Sequence, residues 1–307
     1  MKISVVVPVY GCPEALKPLH NRLTNSLCKI TKSYEIIFVN DGCPKNSWLE
    51  INNICKNDKK VVGINLSRNF GQLHSTNAGI DYATGEYVVL MDCDLQDQPE
   101  AIADLYSEIN NGYDIVFVRR KNRKESKLTL FFSRMFYKVY NKLVDGYYDS
   151  EIGNYCIVKK EVVDEYKKIE DKNKSFTTVL SWMGYSTKTI DIECDERYEG
   201  KTSYTFSKKL DLAIDMLTSQ SNKPLKIVIY MGMVIAFASF IYLLVQIIKY
   251  LVLKNITEGW TSIIGAIFLM GGIMLISIGC VGIYIGNIFN QTKGNPEYLI
   301  KEIINKK

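Results

Sequence analysis

The sequence predicts an α/β protein, a mostly parallel sheet covered by helices, followed by a short membrane-spanning part. Three observations carry that expectation. Short Val- and Ile-rich runs alternate with helix-length amphipathic segments through the first 120 or so residues, which is how βαβ units read. The apolar run Tyr87-Val88-Val89-Leu90-Met91 ends abruptly in Asp92-Cys93-Asp94-Leu95-Gln96-Asp97, as a buried parallel strand with a polar carboxyl end would. Toward the C-terminus, Lys226 and Lys249 bracket an uncharged stretch, Ile227 to Ile248, and a second apolar stretch runs from about Ser262 to Gly286. As helices, each is long enough to cross roughly 30 Å of hydrocarbon.

In chain order, Ile3 to Pro8 is a first strand, left by the loop Pro8-Val9-Tyr10-Gly11-Cys12-Pro13. The G-x-G-x-x-G of a dinucleotide-binding fold is absent from that loop. A helix from about Glu14 to Cys28 leads to a second strand, Tyr34 to Val39, ending in Asn40-Asp41-Gly42. A carboxylate there can accept hydrogen bonds from a nucleoside, although Asp-Gly alone also marks a turn. A third strand, Val61 to Leu66, runs into Ser67-Arg68-Asn69-Phe70-Gly71, and Gln72 to Ala83 reads as the helix before the Asp92 strand. Pro99 to Asn111 is helical by pattern, and a fifth strand, Asp114 to Val118, enters a segment from Arg119 to Lys142 whose nine Arg and Lys residues face only Glu125 in opposition.

Within that segment, at about 127–144, aromatic and aliphatic residues recur at helical spacing beside lysines and an arginine, which suits a helix lying in a membrane interface or a core helix with a solvated basic face. Gly153 to Val158 reads as a strand. Leu210 to Leu217 is amphipathic and Pro224 separates it from the first apolar stretch. The expected division is therefore 1–207 as a soluble α/β domain, 208–224 as a juxtamembrane helix, 225–290 as two spans and 291–307 as a tail.

Ligands of open α/β sheets bind beyond the carboxyl ends of the strands, where Asp92 and Asp94 would project. With Gln96 they offer hard oxygen ligands for Mg²⁺ or Mn²⁺, which in turn hold a diphosphate. A solvated acidic turn before a helix gives the same short pattern. Arg197-Tyr198-Glu199-Gly200-Lys201-Thr202-Ser203 has the composition of a phosphate clamp, since guanidinium forks match phosphate oxygens. The eight cysteines are scattered and only two histidines accompany them, so neither a zinc site nor a disulfide framework is expected, and reduced thiols are the simpler reading. The net charge of +5 is modest. Beside two apolar spans, the basic segment suits anionic lipid and a phosphate substrate, and no nucleic-acid partner is expected.

These pieces, in this order, resemble the family 2 glycosyltransferases, and within them the polyprenyl-phosphate glycosyltransferases related to dolichol-phosphate mannose synthase and to bacterial O-antigen glucosyl-lipid synthases. The resemblance rests on SVVVPVY, FVNDG, LSRNFGQ, MDCDLQDQPE, RYEGKTSYTFSKKL, SNKPLKI, GWTSI and IGNIFNQTKGNPEYLI and covers almost the whole chain. It implies a GT-A fold that moves a hexose, with inversion, from a nucleotide sugar to a polyprenyl phosphate at the cytoplasmic membrane face, and it allows a homo-oligomer. Carried over by position, Asp92, Asp94 and Gln96 would hold the metal, with Asp94, Arg120 and Arg197 closest to the chemistry. Pro8, Tyr10, Asp41, Asn69, Asp92, Lys201 and Ser203 would bind the donor. Several positions depart from the pattern: Asn40 and Cys43 flank Asp41-Gly42 where Asp and Ser are usual, Gly153-Asn154-Tyr155-Cys156 replaces Gly-Asp-Phe-Arg, and Ile283 and Asn287 replace Glu and Arg. A processive polysaccharide synthase would carry Gln-x-x-Arg-Trp, and Ser181-Trp182 lacks the Gln and Arg. A non-catalytic scaffold of the same fold would have no evident need for the acidic pair.

Overall fold

The computed structural model describes residues 2–121, 135, 138, 140–143, 152–193, 221, 223–253 and 259–306, in two compact units. Arg197, Lys201 and Ser203, most of the expected helix at 127–144 and nearly all of 208–224 lie outside the described residues.

The first unit is built on an eight-stranded sheet: β1 (Ile3–Val9), β2 (Tyr34–Asn40), β3 (Val61–Leu66), β4 (Tyr87–Leu90), β5 (Ile115–Lys121), β6 (Ile152–Lys159), β7 (Thr187–Glu193) and β8 (Ile300–Ile304). Their spatial order is β7-β5-β6-β4-β1-β2-β3-β8. The central four, β4-β1-β2-β3, are parallel, and β6 runs antiparallel between β4 and β5. Every residue of β1 and β2 is buried because helices cover both faces. Val5, Val7, Ile36 and Phe38 face one cluster, shared with α1 (Pro13–Ile30), α2 (Ser47–Asn57) and α4 (Ile102–Asn110). Val6, Ile37 and Val39 face the other, shared with α3 (Gln72–Tyr82), α5 (Lys160–Lys167) and α6 (Phe176–Trp182). This is the period-two division of a strand.

Two residues fit the central strands to their neighbours. Proline is disfavoured inside a central strand because it lacks an N–H. Pro8 escapes that cost, since the β1–β4 ladder has already ended at Val6 opposite Leu90 and Val9 turns its carbonyl to β2, accepting from the Asp41 N–H at 3.1 Å. Gly79 lets α3 lie close on the sheet: a Cβ there would overlap the Val6 side chain and come within 3.0 Å of Val39 Cγ2.

At the opposite edge, the Glu35 carboxylate is buried and accepts from Lys2 Nζ at 2.7 Å, Ser4 Oγ at 2.6 Å and the Thr84 N–H at 2.9 Å. Burial pushes its pKa up, but these donors outweigh it, and the folded value lies below the ordinary 4.5. A depressed carboxylate contributes stability that is present above its unfolded pKa and lost as pH falls through the folded one. Thermal melts of the wild type should therefore lose stability below about pH 4.5 more steeply than those of Glu35→Gln, the sensitive window starting at that ordinary value. Parallel curves would remove the assignment.

The second unit contains α7 (Lys223–Leu253) and α8 (Trp260–Thr292), each with a stretch of mean hydropathy 2.0, and both are long and apolar enough to cross a membrane. The chain then returns to the first unit, where β8 pairs antiparallel with β3. Glu302 accepts from Trp48 Nε1 at 3.2 Å, Tyr298 donates to Asp81 at 2.6 Å, and the Asn305 amide donates to the Cys55 and Val61 carbonyls at 2.6 and 3.0 Å. By sequence alone this stretch reads only as a tail.

Candidate active site

The parallel strands β1, β2 and β4 deliver three loops to one edge of the sheet. Residues 91 to 99 alternate between buried and partly exposed although they form no strand, so Asp92, Asp94 and Gln96 share the accessible side while Cys93, Leu95 and Asp97 point inward. Leu95 makes this turn with φ +60°, a conformation a bulky L-residue rarely adopts and which costs about 1–3 kcal/mol. Its side chain is 5% exposed, and that burial offsets the strain. The Gln96 N–H closes the turn on Asp94 Oδ1 at 3.2 Å.

Asp92 is the hub. Its Oδ1 accepts from Gln72 Nε2 at 2.8 Å and from Asn154 Nδ2 at 3.4 Å, and its Oδ2 from Arg120 at 2.9 Å. Sheet register explains the company: β6 opposes Cys156 to Leu90, which carries Asn154 past the end of β4, and β5 continues past Val118 so that Arg120 stands on the strand beside β6. Arg120 also grips Asp97 with two bonds, Nε to Oδ1 at 2.9 Å and NH2 to Oδ2 at 2.7 Å. Burial disfavours the guanidinium charge, but Asp97 and Asp92 together hold its pKa above the ordinary value. Burial pushes the Asp97 pKa above the ordinary carboxylate value, against the lowering pull of the Arg120 guanidinium.

Asp41 is 2% exposed, and its two oxygens accept from the Phe70 N–H at 2.7 Å and the Gly71 N–H at 2.9 Å, so it clasps the loop that carries Asn69. Burial raises its pKa beyond what those amides lower it, and burial keeps the nearby His74 pKa down. Gly42, at φ +59°, approaches the same loop so closely that a Cβ would overlap the Asn69 backbone nitrogen. Pro8 is buried at the end of β1, while Tyr10 just beyond it and Asn69 are exposed. The loops after β1 and β2 are joined at Cys43, whose Sγ accepts from the Gly11 N–H and Ser47 Oγ, both at 3.1 Å; burial raises its pKa, but these donors bring it below the ordinary thiol value.

One expectation is corrected. Cys12 and Cys93 form a disulfide, with Cα atoms 6.7 Å apart, tying the loop after β1 to the Asp92–Asp94 turn. No short Cys spacing announces it, because the two residues meet only when β1 and β4 lie side by side. Asp97 and Gln72 were also missed, although Asp97 lies in the acidic run already singled out.

Residues 4–167 match the family described as glycosyl transferase family 2. The chain belongs to that family. Full-length relatives agree with this membership. A prophage bactoprenol glucosyl transferase homolog of Escherichia coli is 34% identical over 306 residues, 99% of each chain. The bactoprenol glucosyl transferase of Shigella phage SfX is 35% identical over 304 residues, 98% of this chain and 99% of the relative. An uncharacterized glycosyltransferase of Synechocystis sp. is 32% identical over 304 residues, 99% and 96%. Among solved structures, a mannosyltransferase from Pyrobaculum calidifontis in complex with GDP-Man and Mn²⁺ superposes with a TM-score of 0.50 at 12% identity, covering 95% of this chain and 88% of that one. The fold of this family 2 glycosyltransferase is thus GT-A-like, as the sequence led us to expect.

Proposed function

We propose that the protein transfers a hexose, with a UDP-hexose as the favoured donor, onto a polyprenyl phosphate at the cytoplasmic membrane face, with inversion. The observation that carries this reading is the near full-length likeness, at 34–35% identity, to bactoprenol glucosyl transferases, which spans the α/β unit and both apolar helices. The site supports it chemically. Asp92, Asp94 and Gln96 form a set of hard oxygen donors suited to Mg²⁺ or Mn²⁺. Among the described residues no three acidic, His or Cys side chains converge into a cage. When bound, such a cation neutralises charge developing on a diphosphate leaving group.

The chain's own residues bind and orient. Arg120 adds fixed positive charge beside Asp92, and the Asn154 carboxamide donates to the same carboxylate. A carboxamide is no base near neutral pH. None is needed for a phosphate acceptor, whose second pKa near 6 leaves an anionic oxygen ready to attack. Asn154→Ala should then lose only a few-fold in turnover and keep an acid limb near that pKa, whereas a loss as deep as that of Asp94→Asn would give position 154 essential chemistry.

The place of β8 supports the cytoplasmic reading. Residues 300–304 belong to the same sheet as β1 to β3, so a chain whose two apolar helices both cross a bilayer would return to the side it left. Lys223 and Lys226 at the start of α7, Lys293 just after α8 and the basic segment from Arg119 to Lys142 would share that side, while the connecting loop carries little charge, which favours the cytoplasm by the positive-inside rule.

The test incubates the full-length protein in nanodiscs with undecaprenyl phosphate, Mn²⁺ or Mg²⁺ and a panel of labelled nucleotide sugars. Label should appear in a single-sugar lipid phosphodiester, most strongly from one UDP-hexose. Label in polymer, or none in lipid, refutes the reading.

A further inference from the structure

One buried carboxylate at the site takes no part in the reaction just described. The Asp97 side chain is 1% exposed, yet it lies beside the accessible Asp92 and takes both ends of the Arg120 fork. We propose that Asp97 is the positioning residue of this site, holding Arg120 so that Asp92 can exchange the guanidinium for a divalent cation. The inference rests on the reading of Asp92 and Asp94 as metal ligands.

Three observations support it. Arg120 makes three bonds to carboxylates, two to Asp97 and one to Asp92, so releasing Asp92 leaves the guanidinium still paired through two. A buried guanidinium with no partner is strongly unfavourable, and without Asp97 that would be its condition whenever a cation took Asp92. Gly153 then fixes where the fork sits: a Cβ there would lie 2.8 Å from Arg120 Nε and 2.9 Å from Cζ, so the guanidinium rests against the bare backbone of β6. Finally, the two carboxylates and one guanidinium carry a net charge of −1, which still attracts a cation. Arg120 is the counter-ion of Asp92 in this structure, and a cation that took Asp92 would leave Asp97 alone to keep the guanidinium.

The experiment measures Mn²⁺ binding by electron paramagnetic resonance on the full-length protein in nanodiscs, without substrates, for the wild type, Asp97→Asn, Arg120→Gln and the double variant. Supporting groups behind a metal ligand typically change affinity on the order of 10–100-fold. Asp97→Asn should weaken Mn²⁺ binding by that order, because its guanidinium now competes for Asp92 with nowhere else to go. Adding Arg120→Gln should restore most of the affinity, a sign reversal that a residue merely propping the fold would not show. Arg120→Gln alone should bind Mn²⁺ at least as tightly as the wild type while turning over more slowly, which keeps the test decisive if Asp97→Asn does not fold. Unchanged affinity in Asp97→Asn, no recovery in the double variant, or weaker binding in Arg120→Gln overturns the clamp and leaves the metal reading standing. A wild type that transfers sugar but binds no Mn²⁺ overturns both.

Discussion

Asp92→Asn is expected to lower turnover by about 10²–10³-fold, the scale seen when one preorganised electrostatic contact is removed from an active site. The fold should survive. Asp92 is partly exposed, and an asparagine keeps an oxygen for the Gln72 and Asn154 amides while losing the charge that faces Arg120. Arg120 would retain its two bonds to Asp97. Turnover with saturating donor, beside a thermal melt, checks the result. Activity within about tenfold of the wild type at an unchanged melting temperature would place the decisive charge elsewhere.

The second large effect is on stability. The Cys12–Cys93 bond closes a loop with a sequence separation of 81, and in the chain-entropy account such a crosslink contributes about 4–5 kcal/mol by restricting the unfolded chain. Reduction should therefore lower the melting temperature on the order of 10 °C for a unit of this size. A phosphine reductant should produce that drop in the wild type and none in Cys12→Ser/Cys93→Ser, which should already melt low. Identical melts with and without reductant would mean that the bond contributes nothing.

The two outcomes concern residues of very different legibility. Asp92, Asp94 and Gln96 could be read from sequence because an apolar strand ending in carboxylates is a local pattern, and the structure sets all three on the accessible side of one turn. The strands Ile3 to Pro8, Tyr34 to Val39 and Val61 to Leu66 were legible for the same reason, since burial on both faces leaves a run of branched residues. The disulfide was not, because its partners meet through strand adjacency. Nor was the helix at Ser47–Asn57, where four polar Asn and Lys residues dilute an apolar face of Ile51, Ile54 and Cys55. Strand Thr187–Glu193 shows mostly exposed, polar positions of a sheet edge and carries little hydrophobic signal. Arg120 was expected among phosphates, and its pairing with Asp97 depends on a β5–β6 register that no local pattern encodes.

The strand at Ile300–Ile304 has a further consequence, for the order of events during synthesis. Its partner β3 is made more than two hundred residues earlier, and Trp48 waits for Glu302 across a separation of 254. Until residues 300–304 have left the ribosome, β3 presents an open edge of unpaired amides and carbonyls, the kind of template on which unfinished chains aggregate. Both apolar helices are synthesised before the strand that covers this edge. If the two helices span a bilayer as the proposed pair, their insertion must come before β8 can seal this edge, and a chain in which only one of them crossed would keep β3 uncovered.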